Sequence, residues 1–169
     1  MRIFSACRFA LCIGIILLLT GCGFRAESTA AAMVSEMLSF EVGCPHGVLY
    51  DVSVAEGAEG YVSDSLCAAL YGDGAVPAEW EYVEDFSAFL STGEQPVELA
   101  VFLAVSSDGA ELLAALCARR LTVLRAYYRG TEYEAYTGSA RIVVFGRFVV
   151  MAVSSDAEAA IDAARRMLG

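Results

Sequence analysis

Two segments of this chain carry almost the same sequence where a strand pattern gives way to a helix pattern. Residues 103–108 read Leu-Ala-Val-Ser-Ser-Asp, and residues 151–156 read Met-Ala-Val-Ser-Ser-Asp. Serine is a favourable residue for capping the start of a helix, and aspartate is stabilised in the positively polarised first turn. A further candidate strand precedes each segment, at residues 80–90 and 141–145. Residues 80–168 therefore predict a strand–strand–helix unit that occurs twice.

Helix-capping residues, a turn glycine and alternating apolar residues refine this prediction. Ser155 and Glu158 have the spacing of a capping box for the second helix. Gly146 separates two apolar segments and predicts a tight hairpin. In the clearest strand, alternate apolar side chains are expected on one face of the sheet: Val97, Leu99, Val101, Leu103 and Val105.

Weaker patterns extend the fold toward the amino terminus. Ser28 is a candidate N-cap for a helix that ends near Ser39, and residues 48–54 alternate as a strand does. Ser63 begins a further short helical stretch. Together these patterns predict one α+β domain over residues 28–169, with a mostly antiparallel sheet and helices packed on one face.

The first 21 residues have the form of a bacterial lipoprotein signal peptide. Arg2 and Arg8 accompany an apolar stretch at residues 9–19, and these 11 residues are too few to span a bilayer as a helix. The sequence then reads Leu-Thr-Gly-Cys up to Cys22, which resembles a lipobox, where the cysteine thiol receives a diacylglyceryl group. An ordinary secretory signal followed by a chance cysteine is the alternative.

Lipidation of Cys22 predicts a protein held at the extracytoplasmic face of the cell membrane. Each buried methylene group contributes about 0.8 kcal/mol, so two acyl chains give lasting attachment. Residues 22–27 form a short tether, and its last five residues, at about 3.5 Å each, keep the domain within about 20 Å of the bilayer. The membrane is therefore the first expected partner.

The charge of the chain argues against nucleic acid as a partner. The net charge is −10, and loss of Arg2 and Arg8 with the signal peptide takes it to −12. Residues 26–118 contain 16 acidic residues and no arginine. Such a surface is repelled by a phosphate backbone, and its simplest role is to keep the protein soluble.

No group of residues predicts a catalytic centre, a cofactor or a metal site. The chain lacks the nucleophile-elbow, P-loop and zinc-protease motifs. Cys44 and the single histidine, His46, are two residues apart, but no second pair completes a zinc site. Cys67 and Cys117 lie in apolar helical segments and are expected in the core. Loss of the signal peptide removes two of the six cysteines, and lipidation takes Cys22, so three remain and a complete disulfide framework is excluded.

Arg120 is the main candidate for ligand binding. A helix over residues 108–129 places it within the apolar arc, among Leu113, Leu116, Cys117, Leu124 and Tyr127. One interpretation is that Arg120 lines a pocket and binds a carboxylate or phosphate. The other is that it forms an internal ion pair, with Glu98 or Asp162, or extends past the core edge to water.

Tyrosines follow Arg120 closely in the sequence. Tyr127 and Tyr128 precede Arg129, while Tyr133 and Tyr136 follow it. Such rings either stack on a sugar or peptide or close the end of a small core. Arg120, Tyr127 and Tyr128 are therefore the candidate ligand-binding residues.

Three segments carry a family resemblance. Residues 96–102 read Pro-Val-Glu-Leu-Ala-Val-Phe, a helix with Arg120 and a tyrosine-rich segment follow, and residues 146–156 precede the last helix. From Ser28 onward the chain resembles the short lipoproteins, mostly from Gram-positive bacteria, that are classed as domain of unknown function 4358. The resemblance implies a lipid-anchored extracytoplasmic domain and brings no activity or site residues. The cysteines after Cys22 are additions to the usual pattern.

These observations predict a non-enzymatic binding or assembly module at the membrane surface, without a cofactor. Its further partner is either an envelope protein or a small ligand. One alternative is a lipoprotein that binds a small anion through Arg120 and the nearby tyrosines. The other is a small cell-envelope hydrolase, which requires carboxylates that converge in a cleft.

Overall fold

A computed structural model describes residues 29–40 and 46–169. The predicted signal peptide and tether, Cys22, Ser28 and Cys44 lie outside the described residues. Five helices and one antiparallel sheet of five strands make up the described chain, which confirms the α+β class. None of these helices has the length and apolar content needed to cross a membrane.

The sheet has the strand order β1-β2-β3-β5-β4, and every neighbouring pair is antiparallel. The strands are β1 (Gly47–Asp51), β2 (Val83–Ser91), β3 (Glu98–Ala104), β4 (Arg141–Phe145) and β5 (Phe148–Val153). The helices are α1 (Ala30–Ser39), α2 (Asp64–Leu70), α3 (Ser107–Tyr128), α4 (Glu134–Ser139) and α5 (Ala157–Leu168). A 3₁₀ helix at Ala78–Tyr82 occupies the start of the stretch that was predicted to be extended.

The strand–strand–helix order occurs twice, as β2–β3–α3 and as β4–β5–α5. Phe145 pairs with Phe148, so Gly146 and Arg147 form the two-residue turn of the second hairpin. The φ angle of Gly146 is 60°, a conformation that glycine adopts without the steric cost other residues meet. This confirms the predicted tight hairpin.

Helices cover both faces of the sheet, whereas the sequence predicted one covered face. On one face, Leu99 and Ala152 pack with Ile161 of α5 and with α1. On the other face, Phe102 and Met151 pack with α3. The physical reason lies in β3 and β5, which are apolar at nearly every position instead of at alternate ones, as expected for strands buried on both sides.

The two similar segments do not occupy equivalent places in the fold. Ala104 belongs to the cluster on the α3 face, whereas Ala152, its counterpart, belongs to the cluster beneath α1 and α5. Ser106 caps α3 by accepting a hydrogen bond from the backbone N–H of Gly109. The cap of α5 is Asp156, so the prediction that a serine, Ser155, caps this helix was wrong.

Helix α1 lies across the sheet on the face that it shares with α5. Thr29 is its N-cap, and its hydroxyl oxygen accepts a hydrogen bond from the backbone N–H of Ala32. The first backbone N–H of the helix donates to Asp85 of β2 at 2.9 Å. The predicted apolar face of α1 is buried at Met33, Val34 and Met37.

Candidate functional site

Helix α3 extends beyond the strand on which it packs. Its 22 residues are about 33 Å long, whereas the seven residues of β3 span about 24 Å. Arg120 lies level with Glu98, the first residue of β3, so the following two turns pass the end of that strand. For this reason Tyr127 is 76 % exposed, although the helical periodicity placed it in the apolar arc.

Arg120 and Glu98 form a buried ion pair. The Nη2 and Nε atoms of Arg120 donate to Oε2 of Glu98 at 2.8 and 3.1 Å, and Nε also lies 3.2 Å from Oε1. The side chains are 15 % and 4 % exposed. Burial acts to lower the pKa of Arg120, but the charge and hydrogen bonds of Glu98 outweigh this and raise the pKa. The guanidinium therefore stays charged.

Two small cavities border Arg120. One, of about 200 Å³, is shared by Glu98, Gly93 and Tyr128. The other, of about 320 Å³, lies beside Tyr71. Tyr71 is buried, and its hydroxyl has no hydrogen-bond partner among the described residues. Burial and the charge of Glu98 raise the pKa of this hydroxyl well above its usual value, so it stays protonated.

A larger open cleft lies where the β2–β3 loop faces the carboxyl-terminal end of α3. Its volume is about 760 Å³. We call it the tyrosine cleft, and the residues that line it are Thr92, Gly93, Glu94, Tyr127, Tyr128, Thr131, Glu132 and Tyr133. Because Gly93 and Tyr128 also line the 200 Å³ cavity, the Arg120–Glu98 pair lies close to the cleft.

Hydrogen bonds fix the loop that forms the first wall of the cleft. Thr92 donates to the backbone oxygen of His46 twice, through its N–H at 2.9 Å and its hydroxyl at 3.0 Å. The backbone N–H of Ser91 donates to the oxygen of Val97 at 2.9 Å and closes the loop. The β2–β3 loop is therefore anchored to the beginning of β1 as well as to its own hairpin.

Local bonds also fix the second wall. Helix α3 ends where Arg129 adopts a non-helical ψ of 128°. Gly130 follows with a φ of 75°, and its N–H donates to the carboxylate of Glu134 at 2.9 Å. The Thr131 hydroxyl donates to the backbone oxygen of Tyr128 at 2.7 Å. The residues after α3 are thereby held against the end of the helix.

Four tyrosine rings contact one another in a row, and the first three of them, Tyr127, Tyr128 and Tyr133, line the second wall. Tyr127 and Tyr128 have ring centroids 4.9 Å apart and planes at 77°. Tyr128 and Tyr133 follow at 6.4 Å and 85°, and Tyr133 and Tyr136 at 6.2 Å and 79°. These edge-to-face contacts are the arrangement that aromatic rings prefer, so each ring holds the next in place.

The cleft carries negative charge. Glu94 and Glu132 line it, and no arginine does. Burial and the charges of Glu132 and Glu94 raise the pKa of Tyr133. Burial and Tyr127 raise the pKa of Tyr128, although Arg120 acts in the opposite direction. Both hydroxyls are therefore neutral at pH 7, and the two glutamates provide the charge of the cleft.

The structure divides the predicted ligand-binding residues between two spaces. Tyr127 and Tyr128 line the tyrosine cleft together. Arg120 shares only the smaller cavity with Tyr128. Sequence reasoning missed Glu94, whose loop is distant from α3 in the chain. It also missed Glu132, although this residue lies between Tyr128 and Tyr133 in the segment that carries the tyrosines.

The described cysteines are core residues without a chemical partner. Cys67 and Cys117 are buried and have free thiols. Burial raises the pKa of Cys67 to about 11 and raises that of Cys117 as well, so both thiols are protonated at pH 7. Among the described residues, no cluster of three histidine, cysteine, aspartate or glutamate side chains is placed to hold a metal ion.

Comparisons with family models, with curated proteins and with solved structures gave no match to this chain. The resemblance to domain of unknown function 4358 therefore stays a prediction.

Proposed function

We propose that this protein is a lipid-anchored, non-enzymatic binding module at the extracytoplasmic face of the cell membrane, and that its binding site is the tyrosine cleft. The observation that carries the proposal is the cleft itself. An open space of about 760 Å³ is within the size range of ligand sites, and both of its walls are fixed by hydrogen bonds. Preformed walls lower the conformational cost of binding.

The exposure of the aromatic rings supports binding. Tyr127 is 76 % exposed at the mouth of the cleft, where its ring contributes little to the core. Tyrosine presents a large contact area at a small entropic cost, which makes it common in binding surfaces. The prediction that the tyrosines close the end of the core applies better to Tyr128 and Tyr136, which pack against the small buried cluster that contains Leu121 and Leu124.

The two alternative functions, binding of a small anion and hydrolysis, would use residues in or near the tyrosine cleft. A site for a small anion requires the guanidinium of Arg120, but its Nε and Nη2 atoms are bonded to Glu98. The hydrolase alternative predicts carboxylates that converge in a cleft, as in glycosidases, and Glu94 and Glu132 do line one cleft. An acid catalyst must be enclosed to keep its proton at neutral pH, whereas both of these glutamates are exposed. The geometry therefore favours binding over catalysis.

Lipidation is tested by metabolic labelling of cells with an alkyne fatty acid. We expect label on the wild-type protein and none on Cys22→Ala, because Cys22 is the proposed acceptor. Cys67→Ala is the matched control and should keep the label, since this thiol is buried. Equal labelling of Cys22→Ala and the wild type would contradict the proposed anchor.

Binding in the cleft is tested by photo-crosslinking in intact cells. The photoreactive residue p-benzoylphenylalanine replaces Tyr127 in one variant and Leu112 in the control. Leu112 is on the same helix, is 41 % exposed and lies outside the cleft. We expect a defined mass increase from Tyr127 that Leu112 does not give. Equal adducts from both positions, or none from Tyr127, would overturn the assignment of the binding site.

A further inference from the structure

The tyrosine cleft combines aromatic rings with carboxylates, and this combination selects a ligand class. We propose that the cleft binds a small organic cation of the alkylammonium class. This inference rests on the proposed function, because it names the ligand of the same cleft.

The two carboxylates of the cleft have no cationic partner within the described residues, although the Tyr133 hydroxyl donates a hydrogen bond to Glu94. The described residues form five ion pairs, and none of these pairs includes Glu94 or Glu132. Arg120 pairs with Glu98, and Arg125 donates to the backbone oxygen of Thr137. Arg129 does not line the cleft and instead borders a separate cavity with Arg125 and Glu134. A cation entering the cleft would therefore meet two carboxylates without displacing a protein cation.

The aromatic wall favours an organic cation over a metal ion. Cations bind over aromatic faces within about 6 Å of the ring centre, most strongly when they are weakly hydrated. The ring planes of Tyr127 and Tyr128 stand at 77° and form a corner in the cleft that Glu94 and Glu132 also line, so an alkylammonium group can contact both rings. Calcium, by contrast, requires six or more oxygen ligands, and the cleft offers two carboxylates on separate loops.

The same charges favour a free cation over a phospholipid headgroup. A phosphocholine group carries a phosphate a few bonds from its ammonium. That phosphate would approach Glu94 or Glu132, and such like-charge contacts are unfavourable. We therefore assign the cleft to a free alkylammonium compound, and vesicles serve as a separate arm of the test.

Choline is a suitable probe because a neutral molecule of the same shape exists. Binding of choline and of 3,3-dimethylbutan-1-ol is measured by saturation-transfer NMR on the full-length protein in a non-ionic detergent at constant ionic strength. We expect choline to bind at least tenfold more tightly than the alcohol. Equal affinities, no choline binding, or binding only to phosphatidylcholine vesicles would each overturn the inference.

Two pairs of variants locate the interaction. Glu94→Gln should weaken choline binding about three- to tenfold, as expected for loss of one nearby charge. Glu56→Gln removes the same charge from an exposed site in the loop after β1 and should bind as the wild type does. Tyr127→Leu should bind choline more weakly than Tyr127→Phe, which keeps an aromatic face. Equal effects within either pair would overturn the assignment.

The choline measurements and the crosslinking experiment distinguish a wrong ligand class from a wrong binding site. If choline does not bind but p-benzoylphenylalanine at position 127 still gives a defined adduct, the cleft remains a binding site and only the alkylammonium assignment is lost. If neither result is obtained, the proposed function and its ligand class both fall.

Discussion

Arg120 keeps its charge inside the fold because Glu98 lies opposite it on β3. Removing either charge from water is costly, and the pair recovers this cost only through close contact and several hydrogen bonds. Three contacts between 2.8 and 3.2 Å provide that compensation. Breaking such a pair is more damaging than replacing both members, because a single deletion leaves the other charge buried without a partner.

This asymmetry gives a first prediction. Arg120→Met should lower the free energy of unfolding by about 3 kcal/mol or more, because it leaves Glu98 unpaired in an apolar environment. The double variant Arg120→Met with Glu98→Leu should recover most of that loss. Urea unfolding followed by circular dichroism measures both. If the double variant were as unstable as the sum of the two single variants, the pair would not act as a unit.

Sequence periodicity located Arg120 on the buried side of its helix but left its partner open. Glu98 and Asp162 were both candidates, and the choice depends on which face of the sheet α5 covers. Since α5 packs on the face opposite α3, Asp162 is out of reach and pairs with Arg165 instead. A single sequence pattern does not contain that information, because both faces of the central strands are apolar.

At the scale of the element, two similar sequences begin two helices with different caps. Ser106 is the cap of α3, in the fourth position of its segment, whereas Asp156 is the cap of α5, in the sixth. Strand β5 continues to Val153, where it pairs with Glu98, so α5 begins later relative to the shared sequence. The occurrence of a strand followed by a capped helix was therefore predictable, but the capping residue depends on strand pairing elsewhere.

The different caps give a second prediction. Asp156→Ala should lower the free energy of unfolding by about 1 kcal/mol, because it removes the acceptor for the backbone N–H of Ala159. Ser155→Ala should change stability by less than about 0.5 kcal/mol, since Ser155 is exposed and is not the cap. Thermal and urea unfolding of both variants compare these effects. A larger loss for Ser155→Ala would instead support the capping box predicted from the sequence.

At the scale of the whole molecule, the cleft depends on the fold more than on any local motif. Tyr127 and Tyr128 follow Arg120 in sequence and were predicted as candidates together. Gly93 and Glu94 line the cleft with these tyrosines only because the β2–β3 loop lies at the end of β3 that α3 extends beyond. The sequence therefore predicted the aromatic half of the cleft. The loop that completes it depends on the register of β3 against the helix.

The sheet separates the interior into two parts, and this arrangement gives a third prediction. Leu113 of α3 and Ile161 of α5 are both fully buried, on opposite faces. Leu113→Ala should lower the free energy of unfolding by about 3 kcal/mol and Ile161→Val by about 1 kcal/mol. Because the two side chains belong to different clusters, the losses in the double variant should add to within about 0.5 kcal/mol.

Urea unfolding of the two single variants and the double variant tests this additivity. Helices packed side by side on one face, as the sequence predicted, would share neighbours and couple these substitutions more strongly. A coupling energy well above about 0.5 kcal/mol would therefore contradict the two-sided arrangement. Additive losses within a single cooperative transition would instead show that the shared strands β3 and β5 hold two separately packed clusters together. In that case the stability of each cluster would depend on the helices that cover its face of the sheet, and α3 would stabilise its own cluster independently of α1 and α5.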